Sequence, residues 1–502
     1  MDSSLFPMLL NLLTDPVSML CITVGVTLGF IFGALPGLTA TLGVALLTPL
    51  TFPLPAEQAL AMMAALYCGS MTGGAIPAIL LKIPGTPSAV VTTLDGHPMA
   101  QRGQALRAYG WALSASVCGG LVSWLCLATI APALARMALK LGPAEYATVA
   151  LMGMTIIASI TPGRVLKGLA GAMIGLGLSV IGFDQITGEG RWIFGTLALS
   201  QGVSVMPAMI GFLVIPEIIS SLGVEAKQSS AKMDFKNMLP PIGEMLRQKF
   251  NFLRSALIGV GIGIVPALGG NVAAFLSYDQ AKRFDAAGHN YGNGEPGGII
   301  ASEAANNGVT GGALIPLLTL GIPGDSVTAM LLGGLMIHGL QPGPRLFETS
   351  GPAVWTIIAA ILIANVIMAF VGYFGIRGFI QALRVPKILL SPCLLVLTII
   401  GTYALSNQFF DVMLMLCLGM FGFLCMLADF PVYPMVIGII LGPLLESELR
   451  RALVISGGDW SIFVARPVSA FFLLMTLVAL LGPTLVARWK KMRTAKPALG
   501  EM

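Results

Sequence analysis

Charge is what this sequence has least of. Only 10% of its 502 residues are Asp, Glu, Lys or Arg, while 56% are hydrophobic; an ordinary soluble domain carries about 25% charged residues. A water-soluble fold is thereby excluded. The three histidines, His97, His289 and His338, are isolated from one another, and none of the seven cysteines pairs at CxxC spacing, so no transition-metal centre is expected. The cysteines read as small apolar packing residues. There is no P-loop, no HExxH and no G-x-S-x-G, which argues against ATP hydrolysis and against two common hydrolase chemistries. The first basic residue is Lys82, so no cleavable signal peptide is expected. The net charge of +5 is spread over many loops rather than gathered on a face, and no nucleic-acid partner is expected.

Long apolar runs fill the space that charge leaves. They lie near 17–35, 56–81, 107–131, 143–160, 166–183 and 192–222, then 255–270, 297–318, 326–341, 352–376, 388–405, 409–427, 432–446 and 462–486. Sixty-one glycines and thirty-two prolines occur in the chain, many inside these runs; membrane helices accept such breaks where neighbours or a polar cavity satisfy the freed backbone. The expected fold is an all-α polytopic membrane protein with roughly 11–14 membrane segments, some of them discontinuous or re-entrant.

The runs repeat. Gly33-Ala34-Leu35-Pro36-Gly37-Leu38 matches Gly263-Ile264-Val265-Pro266-Ala267-Leu268 at an offset of 230 residues. Thr72-Gly73-Gly74-Ala75 matches Thr310-Gly311-Gly312-Ala313 at 238, and Ile83-Pro84-Gly85-Thr86 matches Ile322-Pro323-Gly324-Asp325 at 239. Three blocks in one order indicate two copies of a unit. Basic loops favour the cytoplasm. The first copy follows an N-terminus without Lys or Arg; the second follows a stretch holding Lys227, Lys232, Lys236, Arg247, Lys249 and Arg254. The copies are therefore expected to be inverted. The expected plan is a first repeat at 1–222, a cytoplasmic connecting loop at 223–254, a second repeat at 255–487 and a cytoplasmic tail at 488–502.

Inverted repeats with broken helices point to a secondary transporter, its site near the paired breaks. Thr86-Pro87-Ser88 and Asp325-Ser326, with Thr328, read as helix starts after Pro-Gly, each offering backbone N–H groups and a positive dipole end to a carboxylate. The alternative is a pair of ordinary capped kinks. Ser302, Glu303, Asn306, Asn307 and Thr310 lie three or four apart and form one polar stripe. Glu303 is either a functional carboxylate at membrane depth or a solvated one at the headgroups. Ser70 and Thr72 belong to the less polar first-copy counterpart. After the Pro36 and Pro266 breaks, Thr39, Thr41, Gly270 and Asn271 either offer oxygens to a hard monovalent cation or cap short helices. The expected substrate contacts are Ser70, Thr72, Thr86, Pro87, Ser88, Asn306, Asn307, Ser326 and Thr328. The expected cation contacts are Thr39, Thr41, Gly270, Asn271, Glu303 and Asp325. Lys82 either pairs with a substrate carboxylate or snorkels to the interface.

These blocks, with Met71-Thr72-Gly73-Gly74-Ala75-Ile76-Pro77, Gly298-Ile299-Ile300-Ala301-Ser302-Glu303-Ala304-Ala305-Asn306-Asn307 and Gly333-Gly334-Leu335-Met336-Ile337-His338-Gly339, closely resemble the large membrane subunit of tripartite tricarboxylate transporters, the TctA family. The departure is Gly297 before Gly298, where the family pattern has Glu. The resemblance implies a multi-pass permease of the bacterial inner membrane. It would work with a small membrane subunit and a periplasmic solute-binding protein, carry a small carboxylate, need no cofactor, and be driven by Na⁺ or H⁺. In plan it is also similar to divalent-anion/sodium symporters, a likeness of fold alone. A membrane-embedded enzyme or a passive anion channel are the rival readings. The enzyme would need a clustered catalytic set that the sequence does not display.

Overall fold

The protein is described by a computed structural model over residues 4–159, 165–184, 187–221, 238–266, 268–285, 290–383 and 387–494. Ala267, His289, Lys227, Lys232, Lys236 and Lys496 lie outside the described residues. The first half carries α1 (Leu5–Thr14), α2 (Pro16–Ala34), α3 (Ala40–Thr51), α4 (Ala56–Gly73), α5 (Ala75–Leu81), a 3-10 turn (Pro87–Val90), α6 (Thr92–Gln101), α7 (Ala105–Ala138), α8 (Pro143–Ser159), α9 (Val165–Ser179), α10 (Leu197–Ser200), α11 (Val205–Leu213) and α12 (Ile215–Ser221). The second carries α13 (Ile242–Arg247), α14 (Lys249–Ile264), α15 (Gly269–Phe284), α16 (Pro296–Leu320), α17 (Ser326–Ile337), α18 (Leu346–Thr349), α19 (Gly351–Ala382), α20 (Lys387–Ser406), α21 (Phe409–Leu427), α22 (Tyr433–Ile455), α23 (Ile462–Ala465) and α24 (Pro467–Thr494). The only strands among the described residues are Gly182–Phe183 and Gly190–Arg191, paired antiparallel.

This is an all-α polytopic membrane protein. Five helices among the described residues are long and apolar enough to cross a bilayer: Pro16–Ala34, the α4–α5 stretch Ala56–Leu81, Ala105–Ala138, Gly351–Ala382 and Phe409–Leu427. Most expected spans appear as helices. The run 192–222 does not: it is divided into α10, α11 and α12, with left-handed backbone at Gly195 and Gly202 separating the pieces. The helices α3 and α15 fall largely outside the expected spans, because each is cut off from its neighbour at Leu35-Pro36 or Val265-Pro266. From Ile242 onward the stretch expected as a connecting loop is helical, in α13 and the first turns of α14.

Contacts divide the chain into two compact units, residues 1–139 with 206–423 and residues 140–205 with 424–502. In the first, α16 is the axis: every residue from Gly297 to Thr319 is buried, and α4, α6, α7, α14 and α15 pack around it. Helix α2 lies on α4 as α14 lies on α16. The approach is backbone to backbone. A Cβ on Gly69 would strike the Val26 carbonyl and one on Gly308 the Ala256 carbonyl; Gly73 meets Phe30, and Gly312 meets Val260 in the same way. Small residues are what permit such closeness between membrane helices. These pairs set the structural offset at 230 for α2/α14 and at 239 for α4/α16. The Thr-Gly-Gly-Ala block therefore follows 239, not the 238 read from residue identity.

The breaks are also built alike. Leu35 (φ −83°, ψ 110°) and Val265 (φ −83°, ψ 117°) end α2 and α14 in extended backbone. Lys82 (φ 58°) and Gly321 (φ 73°) end α5 and α16 in the left-handed region. The next N–H in each case bonds back over six residues, Ile83 to Pro77 O (3.4 Å) and Ile322 to Pro316 O (3.3 Å).

The second unit packs α9 and α24 on α8, with α22 against both α8 and α9. A cavity of about 320 Å³ there is lined in part by Asp184, Arg191, Glu446 and Arg450. Arg191 meets Glu446 at 2.5 Å, and Arg450 meets Asp184 at 2.7 Å and Glu446 at 3.1 Å. Two cations and two carboxylates balance, so this cavity presents no excess charge to an anion.

Candidate ligand site at the broken helices

The two Pro-Gly tips belong to opposite halves, yet both reach the start of α15. A Cβ on Gly269 would lie 4.0 Å from Asp325 Cβ; one on Gly270 would lie 2.8 Å from Ser88 Cβ and 3.0 Å from Asn306 Oδ1. Gly269 adopts φ +61°, a conformation in which a side chain would be strained. Glycine at 270 is what lets Ser88 and Asn306 approach the start of α15 so closely, while at 269 the nearest neighbour is Asp325 Cβ. The N-cap of α15, Leu268, makes no side-chain cap bond, so the first-turn N–H groups of this helix have no cap from that residue.

The second tip is tightly built. Asp325 is the N-cap of α17, in a capping box: its Oδ1 accepts from Thr328 N (2.8 Å) and lies 2.8 Å from Thr328 Oγ1, and its own N–H bonds Thr328 Oγ1 at 2.9 Å. Tyr67 on α4 donates to Oδ2 at 2.5 Å. Ser326 Oγ and Thr41 Oγ1, at the start of α3, are 2.9 Å apart. Both oxygens of a buried carboxylate are thus engaged by hydrogen-bond donors, as burial of such a group requires.

The first tip is looser. Thr86 has N-cap backbone geometry, but its hydroxyl caps nothing; it pairs with Ser88 Oγ at 3.2 Å. The chain then runs through the 3-10 turn into α6 rather than through one regular helix. Thr86 and Ser88 are buried, while Pro87 and Lys82 are exposed. Lys82 is therefore not enclosed with the buried hydroxyls of the tip.

Behind the tips runs the polar stripe of α16, wholly enclosed. Glu303 is completely buried, so it is not the solvated carboxylate of the alternative reading. It accepts from Thr92 Oγ1 on α6, from Ser116 Oγ on α7 (3.4 Å) and from Asn306 Nδ2 (3.4 Å). Asn306 Nδ2 also donates to Met71 O at 3.1 Å. Those two acceptors fix the amide's orientation and turn Oδ1 towards Gly270 and Ser88, where it finds no hydrogen-bond partner among the described residues. An unpaired buried acceptor costs about 1–3 kcal/mol, and a donor from a water, an ion or a ligand would offset it.

The other expected residues stand elsewhere. Asn307 is tied to Glu303 O (3.2 Å) and to Thr72 Oγ1 (3.1 Å), and Ser70 Oγ is tied to Tyr67 O (2.9 Å). The Thr72–Asn307 bond braces α4 against α16, while Ser70 is bonded within α4. Thr39 caps α3 and donates to Glu217 Oε2 on α12 at 2.8 Å, and Asn271 is exposed. The expected cation residues thus divide among Glu217 (Thr39), the Asp325 tip (Thr41), the Ser88 tip (Gly270), the Glu303 cluster and an exposed Asn271 rather than converging on one point.

Sequence reasoning missed Tyr67, Thr92, Ser116, Glu217 and Asp95. At the offset of 239 Tyr67 stands opposite Asn306: each reaches from its axial helix toward one tip. That register was the available signal. Asp95 on α6 carried none. Its Oδ1 accepts from the backbone N–H of Gly292 (2.9 Å), Gly294 (2.8 Å) and Glu295 (2.8 Å), and Tyr278 OH donates to Oδ2 at 2.8 Å. This nest of amides fastens the first tip's helix to the loop before α16.

The family described as "Tripartite tricarboxylate transporter TctA family" matches residues 19–437. The chain is similar to an "Uncharacterized 52.8 kDa protein in TAR-I ttuC' 3'region" of Agrobacterium vitis, 34% identical over 462 residues and covering 92% of each chain. It is also similar to an "Uncharacterized protein in TAR-II ttuC' 3'region" of the same organism, 35% identical over 220 residues, which are 44% of this chain and 91% of that one. No solved structure matches.

Proposed function

The chain belongs to the tripartite tricarboxylate transporter TctA family, and from that premise we propose that it is the large permease subunit of a secondary-active uptake system for small tri- or dicarboxylates. The observation that carries this reading is the meeting of the two tips at Gly269-Gly270. Hydroxyls of Thr86, Ser88 and Ser326 and the N–H groups of a helix start suit a carboxylate, and the unpaired Asn306 Oδ1 suits a donor on the same ligand. Broken helices are the elements that membrane transporters use for such sites.

In this reading the permease sits in the bacterial inner membrane with the stretch 223–254 and the C-terminal tail in the cytoplasm. A small membrane subunit and a periplasmic solute-binding protein complete the system, a Na⁺ or H⁺ gradient drives it, and the repeats are inverted to give alternating access. Proteoliposomes holding the complex should accumulate citrate or succinate when an ion gradient is imposed. Accumulation that needs ATP and ignores both gradients would refute the reading. Single cysteines at Ser229 and Ala495, in a cysteine-free background, should resist an impermeant thiol reagent in intact cells; rapid labelling from outside would refute the orientation.

A further inference from the structure

Glu303 is a full carboxylate inside a helix with no exposed surface between Gly297 and Thr319. Among the described residues no Lys, Arg or His pairs with it. Its partners are Thr92 Oγ1, Ser116 Oγ and Asn306 Nδ2, the last two at 3.4 Å. The buried titratable side chains on the elements packed around α16 are Tyr109 on α7, Tyr67 and Cys68 on α4, Asp95 on α6, Tyr278 on α15 and Asp325 before α17. None of them brings positive charge. A lasting anion in this place is expensive.

The partners suit either protonation state. With Glu303 ionised, the Thr92 hydroxyl donates to Oε1. With Glu303 neutral, its acid O–H donates to Thr92 Oγ1, Thr92 turns to Ser302 Oγ at 2.9 Å, and Ser302 donates to Ile299 O at 3.1 Å. Rotating hydroxyls is all the exchange requires. Asp325 is different: its Oδ1 takes a backbone N–H, a donor that cannot turn round, and it sits at a positive helix end.

We propose that Glu303 carries a proton across the membrane together with each carboxylate, taking it from the outer solution and giving it to the inner one. This rests on the carboxylate-uptake reading and names its coupling ion. The link between the two sites is Asn306, whose Nδ2 faces Glu303 and whose Oδ1 faces Ser88 and Gly270. An anion arriving at that tip is one amide away from Glu303, and like charges so close favour the neutral acid. Thr92 sits two residues beyond the tip's 3-10 turn and so gives Glu303 a second grip on the tip.

The test uses the complex purified with its partner subunits, in weakly buffered medium with a pH-indicator dye, citrate as probe and no imposed gradient. Citrate should draw protons from the medium. In Glu303→Gln that uptake should fall about tenfold or more, because the amide cannot be charged. Thr92→Val should move the pH profile of transport toward higher pH, because the ionised form loses a donor; this readout holds even if Glu303→Gln fails to assemble. Citrate uptake driven by Na⁺ with no proton movement, an unchanged proton signal in Glu303→Gln, or an unmoved Thr92→Val profile would each overturn the inference. Failure of the wild-type complex to carry citrate or succinate would instead strike at the carboxylate reading.

Discussion

The two tips share a backbone and differ in chemistry. Both follow a left-handed helix end, at Lys82 or Gly321, and both press a glycine onto the facing helix break, Gly85 against Gly33 O and Gly324 against Gly263 O. Yet one carries Asp325, doubly held by Thr328 and Tyr67, and the other carries only Thr86 and Ser88, joined to each other. The likeness of the two tips is therefore one of main chain, at the helix ends and the glycine contacts. The side chains make the Asp325 tip a firmly held anchor and leave the Thr86–Ser88 tip with fewer bonds of its own.

If the shared backbone is what matters for assembly, Gly29→Val and Gly259→Val should damage both halves alike. Each Cβ would strike a facing carbonyl, of Leu66 or of Ala305. Overpacking of this kind costs about 1–3 kcal/mol or more, read as lower thermal stability of the purified protein. Gly261→Ala, on α14 but with open space around it, is the control and should stay within about 1 kcal/mol of wild type. Unequal losses for the first two would break the symmetry.

The anchor can be tested more finely. Tyr67→Phe removes a charge-assisted hydrogen bond worth about 1.5–3 kcal/mol and should lower stability accordingly. Asp325→Ala loses the α17 cap, about 0.5–2 kcal/mol, whereas Thr86→Ala should cost less because its hydroxyl caps nothing. Equal costs would erase the contrast between the tips. Asp325→Asn keeps a capping group, so any large fall in transport in that variant would report the charge. The smallest effect belongs to Arg107→Ala. That residue's ion pair with Glu244 (2.9 Å) is 41% exposed on both sides, and its loss should change stability by about 1 kcal/mol or less.

Much of this was legible in the sequence, because breaks at Pro36, Pro84, Pro266 and Pro323 are written in residues whose backbone restrictions are local. The polar stripe of α16 was legible for the same reason, since helical spacing alone places Glu303 beside Asn306 and Asn307. The pairing of Tyr67 with Asp325 and of Asn306 with Ser88 was not. Those contacts join opposite halves and depend on a register that the identity of Thr72 with Thr310 shifted by one residue. The glycine contacts between helices correct it, in step with the offset of 239 that Ile83-Pro84-Gly85 and Ile322-Pro323-Gly324 already carry. Asp95 was illegible too: a carboxylate held by three backbone amides has no side-chain motif to announce it.

The central claim is that both tips close on one ligand. Ser88→Cys and Ser326→Cys, each in a cysteine-free background and reconstituted with the partner subunits, would be treated with a small thiol reagent with and without saturating citrate. Citrate should slow modification at both positions, with the same concentration dependence. Protection at one tip alone, or at neither, would contradict a shared site.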